Sequence, residues 1–131
     1  MASVVTNVGL AVFTNRLMQA GTAPIYIGWG TGAGTAAIAD TTLFTEALVS
    51  FSAGTSDHTT GTESRVTTTA TNDTYQIVGT RAATGSGSVT NAGLWDAASA
   101  GTLAVKSDFT AIGLTSGDSI AFTFKIRLAS A

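Results

Sequence analysis

Residues 119–128 alternate without a break. Ile120, Phe122, Phe124, Ile126 and Leu128 are large and apolar, and Ala121, Thr123, Lys125 and Arg127 stand between them. Successive side chains of an extended strand leave opposite faces, so this pattern gives one apolar face and one polar face. It also fixes register, because a slip of one residue would invert the two faces. Burying all five apolar side chains would contribute on the order of 8–15 kcal/mol, against the entropy of ordering them. The segment is expected to form a central strand of an antiparallel sheet.

Similar signals fill most of the chain. Strands are expected at 25–29, 48–51, 65–71, 74–83, 88–95 and 102–109, the fourth following a turn at Asn72-Asp73. The segments 88–95, 102–109 and 119–128 read as a meander, separated by Ala-Ser-Ala-Gly and Thr-Ser-Gly-Asp. About seven short strands with frequent turn signals predict a mainly β fold, an antiparallel β-sandwich or jelly-roll-like domain spanning 1–131. Residues 1–21 form an N-terminal helical segment in this reading. Asn7 is its N-cap, Leu10, Phe13, Leu17 and Ala20 share one face, and Gly21 and Pro24 end it. Gly9 costs that helix about 1 kcal/mol. Residues 40–46 read as a turn of helix, and 52–63, which lack any large apolar side chain, as a mobile loop.

Charge is scarce. Asp, Glu, Lys and Arg make up 11% of the chain against 44% hydrophobic residues, where an ordinary soluble domain carries about 25% charge. An exterior of Thr, Ser and Ala is poorly defended against association, which points to a subunit covered by its neighbours. The net charge is −2 and the six basic residues are scattered, so no phosphate-binding patch forms and nucleic acid is not expected as a partner. There is no cysteine, which excludes disulfides, zinc–thiolate sites and thiol catalysis. No apolar run approaches the roughly 20 residues of a membrane span. The N-terminus lacks the basic start and unbroken apolar core of a secretory signal, so synthesis in a cytoplasm is expected.

The chemistry-bearing motifs are weak. Gly28, Gly30 and Ala33 formally match a dinucleotide fingerprint, but Leu48 and its neighbours Ala47 and Val49 are apolar and no βαβ unit follows. Close backbone approach explains these glycines better. His58, the only histidine, falls in the polar loop and reads as a surface residue. The eight carboxylates are dispersed, with Asp73, Asp96 and Asp118 beside turns. Trp29, Trp95, Tyr26 and Tyr75 read as core or interface anchors. No catalytic residue, metal site, cofactor or small-molecule substrate is expected, and the chain does not read as an enzyme.

Several segments in order carry a resemblance. They are Tyr26-Ile27-Gly28-Trp29-Gly30-Thr31-Gly32, Asp40-Thr41-Thr42-Leu43 with Thr45-Glu46, Asn72-Asp73-Thr74-Tyr75-Gln76, Ala92-Gly93-Leu94-Trp95-Asp96, Gly101-Thr102-Leu103, and Gly117-Asp118-Ser119-Ile120 with Phe122-Thr123-Phe124. Together they make the chain resemble small structural proteins of tailed-bacteriophage virions. Such a resemblance implies either a capsid cement (decoration) protein or a tail-fibre-like component, and brings no active-site residues with it. The cement reading places the protein on the outer capsid surface, with the major capsid protein and copies of itself as partners. Val4, Val5, Leu10, Phe13, Trp29 and His58 are the candidate interface residues. The alternatives are a tail component and, from another class, a carbohydrate-binding module stacking sugars on Trp29 or Trp95.

Overall fold

A computed structural model describes residues 1–130. The chain is mainly β and antiparallel. Its elements run β1 (Ser3–Val5), α1 (Asn7–Leu17), β2 (Tyr26–Gly30), β3 (Glu46–Ala47), β4 (Thr59–Thr60), β5 (Thr62–Val66), β6 (Thr74–Ala82), β7 (Gly87–Trp95), β8 (Leu103–Leu114) and β9 (Ser119–Arg127). One sheet has the order β1-β8-β7-β2-β3, with β4 also pairing β2; the other has the order β5-β6-β9. The apolar core lies between them, built on Ile27, Trp29, Val89 and Leu94 from the larger sheet and Ile77, Phe122 and Phe124 from the smaller. This is the sandwich-like arrangement that the alternating strands predict.

The alternation of the last strand is reproduced, with Phe122 and Phe124 buried and Ala121, Thr123 and Lys125 exposed. Its position is not the expected one. β9 is an edge strand: it pairs along β6, from Ser119 opposite Ala82 to Arg127 opposite Thr74. The expected meander therefore stops after β7 and β8, and the turn 115–118 carries the chain across to the other sheet. Period-2 patterning reports which face is buried, not how many neighbours a strand has. Residues 48–51 make a turn with Phe51 at φ 67° instead of a strand, and 40–46 form no helix.

The helix forms where expected but is capped and seated differently. Its N-cap is Thr6 rather than Asn7: the fully buried hydroxyl accepts from Gly9 N at 2.9 Å and donates to the carbonyl of Leu103 on β8. The buried positions are Gly9 and Val12, whereas Leu10 and Leu17 point to solvent at 58% and 84% exposure. The cause is Gly9. A β-carbon there would collide with the backbone of Ala104, so the missing side chain lets the helix lie directly on β8. At the other end, Ala20 N donates to Asn15 O and Gln19 N to Arg16 O, with Gln19 at φ 59°. That pair of bonds closes the helix as a Schellman turn with its left-handed residue at Gln19, two positions before the expected Gly21.

Residues 52–63, expected to be mobile, are anchored. Arg81 on β6 is 1% exposed and reaches Asp57 Oδ1 and Asp57 O, each at 2.6 Å, with Thr59 Oγ1 at 3.1 Å and Ala47 O at 3.2 Å. β4 adds a short pairing to Tyr26 and Ile27, and Gly61 is buried beside Ile77. Polarity in this segment marks hydrogen bonding, not freedom.

Two outcomes follow. Gly9→Ala, which should strengthen an isolated helix by about 1 kcal/mol, is expected to destabilise the protein by about 1–3 kcal/mol through overpacking on Ala104, read as a lower urea midpoint. The second concerns Asp73, which accepts from Ala70 N, Thr68 N and Thr69 N at 2.9–3.0 Å and from the Thr74 hydroxyl at 2.8 Å. These bonds, led by those from Ala70 and Thr68, hold its carboxyl well below the usual carboxylate range. A depressed folded-state value contributes stability that is complete above the unfolded value near 4 and is lost as pH falls through the folded one. The stability gap between wild type and Asp73→Asn should therefore stay constant from about pH 7 to 5 and close below about pH 4.

Candidate assembly surface

Seating α1 on β8 through Gly9 leaves the adjacent flank of the helix, carrying Leu10, Phe13 and Leu17, turned toward β6 and β9. Between them lies an apolar groove of about 550 Å³. Leu10, Phe13 and Leu17 form its helical wall, and Tyr75, Ile126 and Leu128 its strand wall. Phe13 meets Tyr75 edge to face, with centroids 6.3 Å apart and an interplanar angle of 84°. Leu128 is 73% exposed, and Met18, just beyond the helix, 72%. Exposed leucines scattered singly mean little, but three in one concavity make it the candidate contact surface. Arg16, Glu63 and Arg127 stand around the groove, and Tyr75 donates its hydroxyl to Glu63 Oε2 at 3.1 Å. Burial and the Glu63 carboxylate raise the Tyr75 phenol above its ordinary value, so it stays a neutral donor.

Of the expected interface residues, Val5, Leu10 and Phe13 come together here. Val4 does not: it pairs with Lys106 in β1, half-buried in the chain's own sheet. Trp29 is fully buried, stacked on Phe51 at 5.4 Å and beneath the Arg81 guanidinium at 4.8 Å. His58 is also buried, contrary to the expected surface position. Its ring stacks on Trp95 at 4.9 Å and lies between the Ala97 carbonyl, 2.9 Å from Nδ1, and Glu46 Oε1, 2.5 Å from Nε2. Gly28 makes room for this cluster, since a β-carbon there would stand 3.0 Å from Glu46, His58 and Trp95. Both tryptophans are thus consumed by the core, and neither offers a flat face on which a sugar ring could stack.

Leu128 was not expected at this surface, and Tyr75 was expected only as a core or interface anchor. They lie far from the helix in sequence, and only the pairing of β9 with β6 brings them opposite Leu10 and Leu17. The glycines at 28 and 30 sit within β2, where their lack of side chains admits neighbouring groups, and no phosphate-binding loop is formed. Among the described residues, no group of three or more His, Cys, Asp or Glu is placed to hold a metal ion, and no helix is long and apolar enough to cross a membrane. Comparison with known protein families, curated proteins and solved structures finds no match to this chain.

The groove makes a direct prediction. Replacing Leu10 and Leu17 by Gln should change folding stability by no more than about 0.5 kcal/mol each, as at ordinary surface sites. The same variant should bind less of an environment-sensitive apolar dye than wild type, measured by its fluorescence at equal protein concentration.

Proposed function

We propose that this protein is a structural component of a tailed-phage virion, a capsid cement protein that docks across junctions between major capsid proteins. The observation that carries the reading is the open groove of Leu10, Leu17 and Leu128 on an exterior with few charges. A leucine-lined concavity exposed to water is unfavourable in a free monomer, and covering it contributes roughly 25 cal/mol for each Å² removed from solvent. A partner that presents its site only when assembled stabilises the assembled state by mass action. Many copies at equivalent junctions then reinforce the shell. The resemblance of the strand and turn segments to phage virion proteins supports the choice of a capsid over other assemblies.

In this reading the protein's role is mechanical, and no step of covalent chemistry is assigned to it. The rigid sandwich supplies shape, while the helix and the last strand supply the apolar contact. The buried tryptophans weigh against the carbohydrate-binding alternative.

The test is copy number and dependence on the groove. Densitometry of purified particles of the phage that encodes this sequence should find hundreds of copies per particle. Leu10→Gln with Leu17→Gln should lower that occupancy while leaving the free protein folded. A handful of copies would instead favour a tail component, and complete absence from the particle would overturn the proposal.

A further inference from the structure

Among the described residues, β9 is paired along one side only. Its ladder to β6 runs without interruption over nine residues, and no strand lies against its other edge. Natural edge strands are normally blunted by proline, bulges, brevity or a charge pointing inward. Of the edge-blunting devices β9 has only its two charges, Lys125 and Arg127, and both lie on the exposed face; it is nine residues long, lacks Pro and Gly and keeps regular register. The sandwich is also unsealed along this flank. A cleft of about 260 Å³ opens between β1 and β9, lined by Ser3, Phe109, Phe122 and Phe124 among others.

The sequence of β9 identifies what fits the edge. Read outward from Thr123, the inner-face residues are symmetric: Phe122 and Phe124, then Ile120 and Ile126. We infer that the free edge of β9 pairs antiparallel with β9 of a second copy, about a twofold axis through Thr123. In that register Phe122 faces Phe124 of the second copy, and Ile120 faces its Ile126, so apolar side chains meet on the inner face of both sheets. On the outer face Lys125 opposes Ala121 and Arg127 opposes Ser119. A slip of the pairing by four residues toward the C-terminus would set Lys125 against itself, and like charges directly opposite are destabilising. Slips of two residues in either direction set Ile120 or Ile126 against a residue beyond the strand, so only the register centred on Thr123 pairs all nine residues of β9. The two small sheets become one continuous sheet of six strands, with β9 at its centre. Such an interface is isologous and closes at two copies.

This inference names one partner within the proposed assembly role and does not depend on what fills the groove at α1. Thr123 is exposed and sits on the twofold axis, so it is the residue to change. Light scattering should give wild type twice the 13.1 kDa chain mass in the micromolar range. Thr123→Lys and Thr123→Glu, each placing like charges face to face, should run as folded monomers by circular dichroism. An equimolar mixture of the two should recover the dimer mass, because opposite charges then meet. Thr123→Cys, the only thiol in the chain, should cross-link into a covalent dimer on mild oxidation. A monomeric wild type, an assembly that Thr123→Lys leaves unchanged, a charge mixture that stays monomeric, or a Cys variant that fails to cross-link would each overturn the pairing. None of these results alters the particle copy number, so the capsid reading stands or falls separately.

Discussion

One guanidinium holds the two sheets and their longest connection in a single arrangement. Arg81 projects from the middle strand of the small sheet and ends against Trp29 of the large one, with its two terminal guanidinium nitrogens bonded to Asp57, Thr59 and the Ala47 carbonyl. A buried cation is tolerable only when such partners replace its water. Removing one member of a buried pair leaves the other uncompensated, typically at a cost of about 3–5 kcal/mol. Almost the whole of residues 31–58 lacks regular structure, so side chains do there what ladders do elsewhere. Lys106, from β8, performs the same service at the other end of this stretch. Its ammonium is 2.9 Å from Asp40 Oδ2 and 2.8 Å from the Thr42 carbonyl, and lies 3.2 Å from the centre of the Phe44 ring. Asn91, fully buried on β7, accepts from Phe44 N at 3.0 Å and donates to Phe44 O at 3.1 Å.

These anchors explain what could and could not be read from the residues alone. The alternation of β9 was legible because it is local, and so was the presence of a helix before Gly21. The neighbours of β9 were not, because alternation is silent about pairing. The seating of α1 was misread for a different reason: leucine positions define an apolar stripe, yet a glycine can define the contact when backbone must approach backbone. Residues 52–63 looked mobile because the partners that fix them, Arg81 and Glu46, are respectively 24 and 12 positions away from Asp57 and His58.

The scarcity of charge acquires a more specific meaning in three dimensions. Arg81 and Lys106 are fully buried and paired, and His58 is enclosed with Glu46. Ionic groups that would ordinarily solvate an exterior are thus spent on internal loops, leaving threonine, serine and alanine over much of the surface. The leucine-lined groove then stands out as apolar surface, with Arg16, Glu63 and Arg127 around it.

The walls of that groove are fastened to different supports. The helix is tied to β8 through Thr6 and Gly9, whereas Tyr75, Ile126 and Leu128 belong to the smaller sheet, which Arg81 joins to β2 and its loop. No hydrogen bond between described residues links α1 to β5, β6 or β9. The two walls of the concavity therefore meet through side-chain packing alone, led by the edge-to-face contact of Phe13 with Tyr75.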